Sequence, residues 1–185
     1  MIGYAFCGSF CTLSASLQFL RSLAEKEEVL PIVSNIVHNT DTRFWQAEKF
    51  LSEVERITGK APIHTIPEAE PLGPKVHLDS LIISPCTGNT LAKLANGITD
   101  TPVTMAAKAH LRSNRPLLIA LASNDALSAN LKNIAVMLNR KNVYFVPMHE
   151  DDPIHKPHSL VCDFPSLPEA YELMKMGKQM TPLFR

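Results

Sequence analysis

Four short stretches combine glycine, hydroxyl and amide residues directly after apolar runs, and their chemistry is that of binding an anionic or heteroaromatic group. The first, Cys7 to Thr12, follows the run IGYAF. Gly8 lets the backbone come close to a ligand. The amides of Ser9 and Phe10 at a helix start, with the hydroxyls of Ser9, Thr12 and Ser14, suit a phosphate, although the same residues also make a plain turn and cap. The second begins at Ser34, within the segment 34–42. The third is SPCTGNT, in which Pro85 and Gly88 shape a turn and Thr87, Asn89 and Thr90 carry polar groups. An Asn amide both donates and accepts, which matches the edge of a flavin or pyridine ring; Asn89 or Thr90 reads equally well as a helix cap. The fourth is Ser123-Asn124-Asp125. Asp125 reads as the cap of the following helix, leaving Ser123 and Asn124 to face a ligand. Neither a GxGxxG fingerprint nor a Walker A lysine is present, so ordinary dinucleotide and P-loop chemistry lose support.

The reactive side chains form no motif, and no catalytic residue is assigned. Cys7 and Cys11 are spaced CxxxC, which is neither the redox CxxC nor a common zinc pair, and no metal is expected. With Cys86 and Cys162 they read as reduced thiols of a cytosolic protein. Cys86 sits in the third stretch and would react only with a lowered pKa. His149, His155 and His158 share a polar segment with Glu150, Asp151 and Asp152 in no metal-binding spacing. His77 reads as a surface or packing histidine, with acid–base work as the alternative.

These stretches must be positioned by a scaffold, and the pattern of the chain supplies one. Its 185 residues suit a single domain, 1–185. Eighteen basic residues balance eighteen acidic ones, which gives no reason to expect a nucleic-acid or membrane partner and favours self-association. The apolar first twenty residues carry no positive charge before Arg21 and are interrupted by polar groups, so they match neither a signal peptide nor a membrane span. Short apolar runs predict strands at 2–6, 29–37, 63–66, 78–84, 115–123 and 142–147. Helical spacing predicts helices at 13–26, 40–59, 91–98, 101–114, 126–141 and 165–180. Segments 67–75 and 149–161 read as loops. This alternation predicts an α/β domain with a parallel sheet and helices on both faces. Ligands bind such sheets beyond the carboxyl ends of the strands, which selects segments 7–12, 34–42, 84–90 and 122–126.

At these residues the chain resembles the flavin-binding decarboxylase-like proteins, which include phosphopantothenoylcysteine and peptidyl-cysteine decarboxylases. The resemblance lies in GSFCT after the first strand, Ser34 after the second, and SPCTGNTLAKLANGITDTPVT, which is similar to the family's flavin-contacting Pro-x-x-x-Asn-Thr turn and the helix pair after it. It implies a three-layer Rossmann/flavodoxin-like fold. It also implies flavin mononucleotide (FMN) held by Gly8, Ser9, Phe10, Ser34, Pro85, Thr87, Asn89, Thr90, Ser123 and Asn124. Residues 123–182 are similar to one branch of this family, the B subunits of dipicolinate synthases. That branch implies a spore-forming bacterium and a mother-cell cytoplasm. It implies oxidation of a dihydropyridine-type precursor from the lysine pathway to pyridine-2,6-dicarboxylate, an A subunit that binds NADP, and a homo-oligomer, a trimer or a multiple of it.

The sequence also departs from the decarboxylases of the family. Their active-site histidine would fall near Pro71, and SNDALSAN stands where they carry Pro-x-Met-Asn-x-x-Met-Trp. Both departures argue against cysteine decarboxylation. A dicarboxylate needs cationic or amide donors, for which Lys108, Arg112 and Lys156 are the candidates.

Overall fold

The computed structural model describes residues 1–73 and 75–185. Pro74, part of the loop expected at 67–75, lies outside the described residues. The strands are β1 (Ile2–Phe6), β2 (Val29–Val33), β3 (Ser80–Thr87), β4 (Leu117–Ser123), β5 (Val143–Phe145), β6 (Met148–Asp152) and β7 (Lys156–Cys162). The helices are α1 (Leu13–Ala24), α2 (Asn35–Asn39), α3 (Ala47–Thr58), α4 (Ile66–Ala69), α5 (Gly88–Ala95), α6 (Pro102–Arg112), α7 (Leu131–Leu138) and α8 (Leu167–Lys175). The chain folds as a three-layer flavodoxin-like α/β domain: a sheet of order β2-β1-β3-β4-β7-β6, with β5 also paired to β4.

Strands β2, β1, β3, β4 and β5 run parallel. Their alternate residues feed two apolar layers. Leu81, Ile83, Leu117 and Ile119 pack with α5, α6 and α7, while Tyr4, Phe6, Ile82 and Leu118 pack with α1, α3 and α8. Burial on both faces is why these strands read as unbroken apolar runs.

The largest departure from expectation is at 149–161, which folds as the antiparallel hairpin β6–β7 and makes the sheet mixed. Its distal half is solvated on both faces, so the apolar alternation that marks a strand is missing. Charged residues and Pro157 also suit an edge. β5 covers β4 only at Leu117 to Ile119. That leaves the carboxyl half of the β4 edge open, where β7 pairs with Ala122 and Ser123.

Smaller differences have local causes. Segment 63–66 makes a single bridge, Ile32 to Ile63, because Thr65 and Glu68 form a capping box that starts α4. β2 stops at Val33 and residues 35–39 turn into α2. The helix expected from 126 starts at Leu131, because the Asp125 carbonyl accepts from the Ser128 and Asn130 amides in a turn. β3 continues through Pro85 to Thr87, so the expected turn at 84–90 becomes strand end and helix start. Among the described residues, no helix is long and apolar enough to cross a membrane.

Candidate functional site

The order of the sheet reverses between β1 and β3: β2 lies to one side of β1 and β3 to the other. A crevice must open beyond the carboxyl ends of the strands at such a point. A cavity of about 450 Å³ lies there, walled by the turn after β1, the start of α5, the segment after β4 and the inner strand of the hairpin. Of the residues expected to bind, Gly8, Ser9, Phe10, Thr87, Asn89, Ser123 and Asn124 line it.

The other three lie behind the wall. Pro85 is buried within β3, and its carbonyl accepts the Cys7 N–H at 3.1 Å, tying the two strands at the crevice. Thr90 is buried and its hydroxyl donates to Cys7 Sγ at 3.3 Å. Ser34 is 8% exposed, and its N–H donates to the Phe6 carbonyl at 2.9 Å. Its hydroxyl has no partner among the described residues, which is unusual for a buried polar atom.

The start of α5 separates the two readings of Asn89. Thr87 is the N-cap: its hydroxyl oxygen accepts from the Thr90 N–H at 3.2 Å and donates to Thr90 Oγ1 at 3.1 Å. Asn89 is therefore relieved of capping. It is exposed, lines the cavity, and its amide makes no hydrogen bond among the described residues. Gly88 and Asn89 are the first two residues of the helix, whose amides have no intrahelical acceptor. A second helix start faces them: the 3-10 turn Phe10–Thr12 that leads into α1. There the Ser9 N–H is taken by the Cys7 carbonyl at 2.8 Å, while Ser9 Oγ accepts from Thr12 at 3.0 Å. The Ser9 amide is thus engaged, and the Phe10 amide, with no acceptor among the described residues, stays open to a ligand.

Behind Gly88 lies a polar buttress. Asp125 accepts from Ser123 Oγ at 2.5 Å and from Asn130 Nδ2 at 2.9 Å. Asp125 does not cap α7, which begins at Leu131 with Asn130 at the N-cap, and the Ser123 hydroxyl is committed to it. Asn124 remains exposed at the cavity. The bonds from Ser123 and then Asn130 hold the Asp125 carboxyl below its ordinary range. A depressed folded-state pKa adds stability above the unfolded value of about 3.9, and that stability is lost as pH falls through the folded value. Asp125→Ala should therefore cost about 1–3 kcal/mol at pH 7 by stranding two buried donors. The gap between wild type and variant should narrow below about pH 4. Urea titrations at the two pH values check this, and a gap that widens on acidification would refute it.

The buried thiols Cys7 and Cys86 are not poised for chemistry, whereas Cys11 is exposed at the cavity. Burial pushes Cys7 up to about 11 and Cys86 well above its usual value. His77 is exposed and precedes β3; the length of that strand, roughly 25 Å, separates it from the cavity. Lys108 lines a different cavity with Arg140, and Arg112 is in the last turn of α6. Lys156 is bound to Asp151 at 2.7 Å. His155 pairs with Asp152 at 3.0 Å on the exposed hairpin.

Sequence reading missed the walls given by Phe44, Asp151 and Ser159 to Val161. The signal for the last of these was the short apolar run ending at Cys162, hidden in a polar segment.

The chain is similar to known proteins over nearly its whole length. A relative in Bacillus subtilis (strain 168), the B subunit of dipicolinate synthase, is 42% identical over 183 residues, which is 98% of this chain and 92% of that protein. The crystal structure of the dipicolinate synthase B subunit from Bacillus halodurans C superposes with a TM-score of 0.90 at 38% identity, covering 100% of this chain and 95% of that one. A dodecameric FMN-dependent Ubix-like decarboxylase from Escherichia coli O157:H7 shares the fold, with a TM-score of 0.66 at 22% identity over 96% of this chain and 95% of that one. The Flavoprotein family model matches residues 7–175, from the turn after β1 to the end of α8, and the chain belongs to the Flavoprotein family.

Proposed function

We propose that the cavity binds FMN and that the chain serves as the B subunit of a two-component dipicolinate synthase, in which a dihydrodipicolinate-type precursor is oxidised to pyridine-2,6-dicarboxylate. One observation carries this reading. Thr87 caps α5 and leaves the Asn89 amide free at the sheet's crossover crevice, where a heteroaromatic edge needs both a donor and an acceptor. The Bacillus relatives supply the reaction.

The residues present fit the cofactor. The starts of α1 and α5 offer amides to a phosphate, and Asn89 and Asn124 suit the ring edge. Converting the precursor to an aromatic pyridine removes two electrons, which a bound flavin supplies the means to accept. NADP, carried by an A subunit, is the second acceptor of the pair.

The lining holds Asp125 and Asp151 but, among the described residues, no lysine, arginine or histidine. The absence of a histidine there speaks against cysteine decarboxylation. The absence of a cation leaves a phosphate to backbone amides and to a neighbouring copy, in keeping with a homo-oligomer, a trimer or a multiple of it; the Escherichia coli relative is a dodecamer. The setting is the cytoplasm of a spore-forming mother cell.

Reconstitution tests the function. The chain loaded with FMN, an A subunit, NADP and the precursor should yield pyridine-2,6-dicarboxylate, and removing FMN should slow the reaction at least about tenfold, on the order of 1.4 kcal/mol. Equal rates with and without FMN would make this a non-catalytic supporting subunit.

A further inference from the structure

A carboxylated ring entering the cavity meets two carboxylates, Asp125 and Asp151, and no cation among the described residues of the wall. The nearest hairpin cation, Lys156, is already neutralised by Asp151. At the mouth, the segment between α2 and α3 carries a charge that can receive the ligand.

That segment is pinned at three points. Thr42 Oγ1 accepts from the N–H groups of Phe44 and Trp45, each at 3.2 Å. The Trp45 indole donates to Ser14 Oγ at 3.1 Å, on α1. Asp41 accepts from the Ala47 N–H at 2.8 Å. Between these pins Phe44 reaches the cavity yet stays 46% exposed. The Arg43 guanidinium lies 4.8 Å from the centre of its ring. Arg43 is exposed and forms no ion pair among the described residues.

A half-exposed aromatic ring at the cavity mouth, with one face under a guanidinium that forms no ion pair among the described residues, matches a planar ring that bears a carboxylate. The ring of the ligand packs on the part of Phe44 that the guanidinium leaves open, and the carboxylate meets the guanidinium fork in two parallel hydrogen bonds. We infer that Arg43 and Phe44 are the substrate-recognition pair of this cavity, selecting a planar ring carboxylate and orienting it toward the Asn89 end. This rests on the reading of the cavity as a flavin site, with the substrate packed beside the cofactor.

The test titrates three compounds separately into the full chain: pyridine-2,6-dicarboxylate, its neutral diamide, and FMN. In Arg43→Ala the dicarboxylate affinity should fall about tenfold to a hundredfold, the range for a hydrogen bond to a charged group. The diamide should be unaffected, and Arg43→Lys should lose less because it keeps the charge. Phe44→Ala should weaken dicarboxylate and diamide alike, and FMN should bind both Arg43 variants as it binds wild type. Melting curves verify that each variant is folded, and Arg43→Lys keeps the test open if Arg43→Ala is not. Unchanged dicarboxylate affinity in Arg43→Ala, or no dicarboxylate binding by a wild type that binds FMN, would overturn the inference. Loss of FMN from Phe44→Ala would reassign that ring to the cofactor and overturn its substrate role. Arg43-dependent dicarboxylate binding in a chain that ignores FMN would uphold the inference and sink the flavin reading instead.

Discussion

Gly88→Ala is expected to lose FMN binding and to destabilise the fold. A Cβ at position 88 would lie 2.2 Å from Ser123 Oγ, 2.6 Å from Asn130 Nδ2 and 2.8 Å from Asp125 Oδ1. These three atoms belong to one hydrogen-bonded unit, so none can retreat without breaking a partner's bond. Overpacking of this kind costs about 1–3 kcal/mol. Relief requires the start of α5 to lift, which moves Thr87 and Asn89 together, and misplaced donors cost at least about tenfold in affinity. Gly8→Ala is the comparison. Its Cβ would meet the Ile36 side chain at 2.7 Å, and Ile36 is 52% exposed and free to turn away. Denaturant curves and FMN titrations of both variants separate the cases. If Gly88→Ala binds and melts as Gly8→Ala does, the buttress is not what sets the cavity.

Asn89→Ala and Thr87→Ala should fail in opposite ways. Among the described residues the Asn89 amide has no bond to lose, so its removal should leave the melting temperature nearly unchanged. Facing a buried ring edge, it should cost about 1–3 kcal/mol of FMN binding, roughly tenfold or more. Thr87 is the cap, and its removal should cost about 1 kcal/mol of stability. It also deprives Thr90 of the hydroxyl that orients it toward Cys7. The informative quantity is the ratio of the two effects in each variant. A lowered melting point with intact affinity in Asn89→Ala would show that Asn89 supports the helix and not a ligand.

The parallel half of the molecule was readable because its strands are buried on both faces. Ile2–Phe6, the run at 78–84 and the run at 115–123 stand out as apolar stretches between turn residues. The four selected segments followed from topology, and three of them converge on one cavity. The hairpin was hidden because β6 is an edge strand whose outer residues, His149, Glu150 and Asp151, face water. Its pairing depends on the shortness of β5, which no local pattern announces. The division of labour at α5 was also unreadable. Thr87, Asn89 and Thr90 are all cap-forming types, and only the end point of β3 decides which one caps. Asp125 was misplaced for the same reason: the helix after it starts at Leu131, so its carboxylate turns back to Ser123 and Asn130.

Whether the cavity beyond β1 and β3 is a flavin site is tested most directly by one titration. FMN is added to the wild-type chain and its fluorescence followed to saturation, with the Asn89→Ala chain measured in parallel. A flavin site predicts saturable binding at one FMN per chain, weakened about tenfold or more in Asn89→Ala. Linear, unsaturated fluorescence from the wild type, or binding that Asn89→Ala leaves untouched, would contradict it.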